Sequence, residues 1–555
     1  MVHSKDFYNH YHKIYSEYAS LYGPKTIVFY MKGSFYEFYG MQDSVTLDYK
    51  DPVKEVCEFL NIECTFTPYD VSPTIHGLFS GIPEHTLHKH AGKLTSHGWT
   101  VVVVDQVKDG DKVINRTVSQ VLSPGTHMEN IQGHKSSYVV SLYIHHNNQE
   151  PPSYGIVALD LTTGQIVIHE SQACGYYNSW NMDSARHFLQ VYNPAECIFM
   201  YQGASYTCPS EETLRQLLQI PYIPIYEKHD YAKGNFQNYI HRENYLRSCF
   251  QPKTLLPLRA YLQLGANILC EQALCGLLQF VEQHNPRLMQ QCKIPQVWNP
   301  QDHVQILNNA LQQINLLPTE ANPFGVYNLF TTPYTSMGKR ALRQVLCRPY
   351  TNITMLQKRQ DALTWFLACD TDTMISLQKC FLSIYDLPRL HRNLVCGKVR
   401  PHELIQLYQS YTSIQILGTL LQSSFLYDTA VQQHVTDILK TFQEIFCMEK
   451  LEKSQHNPDD IGCLQEHYGP QSHVHELSIQ TLFESAQTWL QTLYREIRMD
   501  KKVLEQGLYF KEENKSCFTL YCTNKIYKEL EVLKTKKSIY SQFEFQKLKC
   551  KIGLN

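Results

Sequence analysis

Phe35 and Glu37 are the side chains whose types and spacing most invite a chemical reading. They sit in the stretch 28–40, VFYMKGSFYEFYG, two residues apart, so on an extended chain they point to the same side. A ring beside a carboxylate is a poor core pair, because a buried charge is costly unless it is partnered. It suits the probing of a nucleic-acid base, where an apolar ring can wedge and stack while an acid hydrogen-bonds. The other reading is an aromatic-rich core strand with Glu37 solvated at its end. On these residues alone both stand.

The elements around the pair predict how it is held. The stretch is rich in β-branched and aromatic residues, which reads as a strand, and Gly33 marks a tight turn, a bulge or a close approach to the backbone. Before it, Tyr8, Tyr11, Tyr15 and Tyr18 recur at threes and fours and predict a helix over 7–22. After it, Gly81-Ile82-Pro83 turns into a helix through Leu87, Ala91 and Leu94, ended by Gly98, and Val101 to Val104 form an apolar strand. A small mixed α/β domain over 1–125 follows, closed by the breaker Pro124-Gly125.

The pattern then restarts. Residues 137–144 alternate, 155–160 form a second strand, and Gly164 turns into 165–168; a helix around 184–191 and a strand at 197–200 complete a second α/β domain over 126–250. It resembles a ribonuclease H-like sheet. Asp160 is the one candidate metal ligand there, but a metal nuclease needs further converging carboxylates, and a lone acid before a turn commonly satisfies backbone N–H groups. From 251 to 445 the periodicity is helical, with segments at 255–284, 337–346, 353–367, 374–381, 401–420 and 429–446. Over 475–504, Ile479, Leu482, Ala486, Trp489, Leu493 and Ile497 predict one long helix of about 45 Å. The tail alternates at 507–510 and 516–521 and carries twelve lysines against six glutamates from Lys501 onward, an excess suited to phosphate contact or to an ordinary solvated surface. Residues 446–555 are therefore a long helix with a basic, strand-containing end.

Composition narrows the classes. The formal net charge is −2 and the pI about 6.9, so any nucleic-acid contact must come from local patches. There is no run of about 18 apolar residues, and the polar N-terminal stretch is unlike a signal peptide, so no membrane partner is expected. The 18 cysteines contain no CxxC, which fits free thiols in a reducing intracellular compartment. No GxxxxGK[ST] loop occurs.

Taken in order, several motifs resemble those of the MutS family of DNA mismatch-recognition proteins. Gly33-Ser34-Phe35-Tyr36-Glu37 is similar to the family's G-x-F-Y-E motif, with Ser34 where relatives carry aspartate. Gly81-Ile82-Pro83 with His85, Arg116 through Thr126, and Ala158 through Gly164 with Asn193 to Glu196 follow the same order. In the helical part, Thr335 to Arg340, Leu346 to Pro349, Arg359-Gln360, Asp386 to Arg389, Arg392 and Pro401 fit as well. The segment 308–312 lacks the glutamate expected there, and the tail is only loosely alike.

The resemblance implies a mismatch-binding domain, a connector, a helical core with a lever helix, and a basic clamp. It implies double-stranded DNA with mismatches or small loops as ligand, a second MutS-type subunit and a downstream repair factor as partners. Phe35 would enter the minor groove and stack on the mispaired base, Glu37 would hydrogen-bond that base, and Gly33, Ser34 and Tyr36 would support them. Lys525, Lys528, Lys534, Lys536 and Lys537 would meet the DNA backbone. No cofactor is expected in this chain; ATP and magnesium belong to an ATPase domain, which the 555 residues lack. Rival readings are a relative that binds branched or recombination-intermediate DNA, and a metal-dependent nuclease.

Overall fold

The computed structural model describes residues 2–453 except 73, 110–111, 128–135, 148–151, 172–181, 205–207, 228–234 and short gaps between 253 and 423; beyond 453 it describes 463–465, 467–468, 508–514, 517–522 and scattered single positions. Two compact units divide the chain, 1–440 and 441–555.

The first unit begins with α1 (Val2–Tyr22), whose Tyr8 and Tyr11 are buried as their spacing predicts. Six strands follow: β1 (Thr26–Lys32), β2 (Phe35–Asp43), β3 (Thr65–Ser72), β4 (Ile75–Pro83), β5 (Thr100–Asp109) and β6 (Lys112–Leu122). They form one sheet in the order β3-β4-β2-β1-β5-β6. β1 runs parallel to β5 and antiparallel to β2, so the opening strand is interior to the sheet. Two short helices, α2 (Val53–Leu60) and α3 (Leu87–Thr95), complete the domain. The stretch read as one strand with a break is in fact two strands of a hairpin. Gly33 takes φ +66° at the first position of its two-residue loop, a position at which such turns favour glycine.

The second sheet has the order β11-β10-β7-β8-β9-β12, built from β7 (Tyr138–His145), β8 (Ser153–Asp160), β9 (Gln165–Ser171), β10 (Glu196–Gln202), β11 (Ile225–Glu227) and β12 (Gln296–Val297). Helices α4 (Asp183–Tyr192) and α5 (Glu211–Leu218) contribute to one apolar cluster of this sheet, and α6 (Tyr239–Phe250), the short α7 (Leu258–Tyr261) and α8 (Ile268–His284) to another. α8 was expected to open the helical region after residue 250. It lies instead on the sheet, so closely that a Cβ on Gly155 would come 2.3 Å from the Leu269 carbonyl carbon. Glu170 on β9 accepts the Leu269 and Cys270 N–H groups at 2.9 and 3.0 Å, satisfying two of the donors a helix start leaves open. The sheet layer therefore extends to β12 at residue 297 rather than ending at 250.

The short helices α9 (Ala310–Gln313) and α10 (Val326–Leu329) lead into α11 (Ser336–Cys347), α12 (Ile353–Ala368), α13 (Thr371–Leu382), α14 (Leu387–Val395), α15 (Pro401–Leu420) and α16 (Thr429–Ile445). Of these, α11, α12, α13, α15 and α16 lie within a few residues of the spans their periodicity predicts, while α9, α10 and α14 answer to no predicted segment. Side-chain caps fix three of the starts: Thr335, Asn352 and Asp370 each accept a first-turn N–H. Arg340 on α11 pairs with Asp386 at 2.5 and 2.8 Å, and Arg392 on α14 is buried with its Nε donating to the Leu161 carbonyl at 3.3 Å. The helices are thereby tied to the turn after β8.

In the second unit, α17 (Met448–Lys453) precedes the hairpin β13 (Leu508–Asn514) and β14 (Cys517–Cys522), where alternation predicts strands. Most of the long helix expected over 475–504 lies outside the described residues. Ser478, Thr481, Thr488, Gln491, Thr492 and Arg495 are described, and all are helical and exposed. They form a polar stripe at helical spacing, offset from the apolar one.

Candidate nucleic-acid interface

β2 emerges from the Gly33-Ser34 turn with Phe35 as its first residue, paired to Lys32 on β1 and to Pro83 on β4. Ser34 is fixed from the far side, its carbonyl accepting the Glu84 N–H at 2.9 Å. Alternation along β2 sends Tyr36 and Phe38 into the core, where Phe38 stacks on Phe29 at 5.1 Å. It sends Phe35 and Glu37 to the opposite face. Phe35 is the large aromatic left outside there, 47% exposed, at the end of a strand held by neighbours on both sides.

Glu37 is less free than its partner. Its carboxylate accepts the Tyr39 hydroxyl and lies 3.3 Å from the Lys32 ammonium, with 14% of the Glu37 side chain and 48% of the Lys32 side chain exposed. The register explains the pairing: Lys32 faces Phe35 and Tyr30 faces Glu37 across the hairpin, and directly opposed residues share a face. A partly exposed ion pair of this kind contributes about 0–1 kcal/mol, so Glu37 can exchange Lys32 for another partner at little cost.

Arg116 on β6 joins this end of the sheet. Its Nε donates to the Met31 carbonyl at 3.1 Å, beside the Gln106 amide at 3.0 Å, and its guanidinium lies 5.6 Å from the Tyr30 ring centre. Tyr36 points the other way and donates to Asp105 Oδ1 at 2.7 Å; burial, and then that carboxylate, push its phenol well above the usual range. Gly33, Ser34 and Tyr36 are thus the turn and anchor of the pair. Lys32, Arg116 and Tyr39 were not singled out as site residues from sequence. Placing the hairpin turn at Gly33-Ser34 would have brought Lys32 beside Phe35, whereas Arg116 arrives across two strand pairings that no local pattern reveals.

Of the five lysines assigned to the DNA backbone, Lys528 is described, helical and exposed; Lys525, Lys534, Lys536 and Lys537 lie outside the described residues. Asp160 is buried and accepts both the backbone N–H of Thr162 at 2.9 Å and its hydroxyl at 2.6 Å. Burial raises its pKa despite those bonds and the nearby Arg389. Its oxygens serve the turn.

Two family models match the chain: MutS domain I over residues 5–130, which holds the whole first sheet, and MutS domain III over 304–531, which runs from α9 to β14. The chain belongs to the MutS family. Among curated MutS relatives it is similar to a DNA mismatch repair MutS homologue of Acanthamoeba polyphaga mimivirus, 24% identical over 83% of this chain and 43% of that protein. It is also similar to the DNA mismatch repair protein MutS of Caldanaerobacter subterraneus subsp. tengcongensis, 23% identical over 77% of this chain and 45% of the relative. A mitochondrial DNA mismatch repair MutS homologue of Sarcophyton glaucum is 25% identical over 80% and 49%. The chain thus spans less than half the length of these MutS proteins. The hairpin that presents Phe35 falls inside the domain I match, and the Arg340–Asp386 pair falls inside the domain III match.

Proposed function

We propose that this chain is the sensing part of a MutS-type DNA mismatch-repair protein, binding duplex DNA and reading mispaired or unpaired bases with Phe35 and Glu37. The observation that carries the reading is Phe35: a large ring, about half exposed, at the end of a strand braced by neighbours on both sides. Pushed into a minor groove, such a ring unstacks a base step and kinks the duplex, and a mispaired step yields at lower cost than a matched one. Glu37 then leaves Lys32 for the displaced base, while Lys32 and Arg116 become available to the phosphates beside it. The exposed Lys528 and its neighbouring lysines add contact that is indifferent to sequence.

A second MutS-type subunit and a downstream repair factor complete the system in this reading, which places the chain in a reducing intracellular compartment. ATP and magnesium act only through an ATPase domain. The test is an anisotropy titration of matched and single-mismatch duplexes with the unsubstituted protein and with Phe35→Ala. Loss of mismatch preference with residual, salt-sensitive binding is expected. A preference that survives Phe35→Ala removes the wedge, and tighter binding to a four-way junction than to either duplex moves the chain to the branched-DNA reading.

A further inference from the structure

A cavity of about 710 Å³ lies between the second sheet and the helices that follow it. One wall is the start of β7 with the ends of α4 and α5; the other is built from α9, α10 and α11. All of its lining falls within residues 136–344, after the first sheet has ended. The volume is within the roughly 300–1,000 Å³ of small-molecule sites, which are mostly apolar with a few placed polar groups.

The charged lining is of one sign. α11 contributes Lys339, Arg340 and Arg343, and among the described residues no carboxylate lines the cavity. Arg340 is neutralised from behind by Asp386. The other two are not. Arg343 donates one N–H to the Val191 carbonyl at 3.1 Å, in the last turn of α4, and the rest of its donor fork meets no partner among the described residues. The Lys339 ammonium has no partner there either. Spaced four apart on one helix, these two cations share a face and repel, with no acid in the lining to offset them.

Aromatic rings supply much of the remaining wall. Tyr138 and Tyr192 meet edge to face at 5.1 Å on the sheet side, and Tyr327 lines the helix side. Tyr222, 93% exposed, stands at the mouth with a ring face to offer, and such rings stack on nucleobases.

We propose that this cavity binds a small aromatic anion of the nucleoside monophosphate class, with its phosphate between Lys339 and Arg343 and its base against Tyr222. A guanidinium fork matches phosphate oxygens two at a time, and the ammonium adds a point charge beside it. The bound ligand fastens α11 to the ends of α4 and α5.

The test is isothermal titration of the full chain with AMP, with adenosine and inorganic phosphate as separate arms. AMP should bind in the micromolar range, and adenosine and phosphate about tenfold or more weakly, the loss of a charge-assisted contact or of a stacked ring. The side chains of Lys339 and Tyr222 make no hydrogen bond or ion pair among the described residues, so Lys339→Gln and Tyr222→Ala should leave the melting temperature of the unliganded chain in place. Each should weaken AMP by about tenfold. Saturating duplex DNA should not displace AMP. Absence of AMP binding, an affinity unchanged in both variants, phosphate bound as tightly as AMP, or displacement by duplex DNA overturns the proposal.

Discussion

Glu37 and Asp160 are both carboxylates near a strand terminus beside a turn, yet the molecule uses them in opposite ways. Asp160 closes the end of β8 and is fully engaged: buried, bonded twice to Thr162, and set near Arg389 and the Arg340 that α11 sends to Asp386. Glu37 is bonded too, but to a hydroxyl on its own strand and to a half-exposed lysine that water can replace. A carboxylate is available to a ligand when its present partners are cheap to lose. Residue type does not separate the two cases; the exchange cost of their partners does.

That contrast breaks first at Asp160. Asp160→Ala orphans the Thr162 N–H and hydroxyl in the interior, and should cost about 3 kcal/mol of stability while leaving the ratio of mismatch to matched binding unchanged. Chemical denaturation alongside the DNA titration checks both halves, and a changed ratio would give Asp160 a part in recognition. Phe35→Ala should do the reverse. It should reduce mismatch preference by about 2 kcal/mol, the scale of one base stacked on an aromatic ring, at almost no cost in stability.

A third carboxylate sharpens the comparison. Glu196 is buried where the first sheet hands over to the second, accepting from the Ser123 hydroxyl at 2.8 Å and the Gly125 N–H at 3.2 Å, and burial raises its pKa to about 7. Between the ordinary glutamate value of 4.5 and about 7 the folded protein holds a proton that the unfolded chain has released. Stability from this group is therefore greatest below that window, falls by roughly 1.4 kcal/mol per pH unit across it, and is level above it. Glu196→Gln should flatten the slope in thermal melts taken across the window; an unchanged slope would assign the titration elsewhere. Glu37→Ala comes next, with about 1 kcal/mol of mismatch preference lost and all duplexes still bound. Lys32→Ala is the smallest change. It should lower the salt dependence of binding by about one phosphate contact and leave the melting temperature in place, and loss of stability instead would make Lys32 a structural partner of Glu37.

Much of this was legible in the amino-acid sequence because the signals are local. The tyrosine spacing of α1, the valine run of β5 and the helical periodicity of α11, α12, α13, α15 and α16 are each written in one short stretch, and the structure places those elements within a few residues. What α8 packs against is another matter. Its stripe is equally good for a sheet or a helix bundle, and Glu170 at its start lies about 100 residues away in sequence. The same holds for the site. Phe35 and Glu37 stand out by their incongruity, but the partners that limit Glu37 depend on hairpin register, and Arg116 reaches the site only by strand pairing. The lever and clamp assignments rest on stretches that lie largely outside the described residues.

The position of β2 inside its sheet has a mechanical meaning. A wedge divides its load between its mount and whatever it is driven into, and the more compliant of the two yields. Phe35 is mounted on a strand flanked by β1 and β4, with Ser34 pinned by Glu84 and Tyr36 by Asp105. Bending that mount would mean breaking ladder bonds on two sides at once, whereas a poorly stacked base step bends for a few kcal/mol. The deflection therefore goes into the duplex, and the protein end of the contact serves as a fixed gauge against which DNA stiffness is compared.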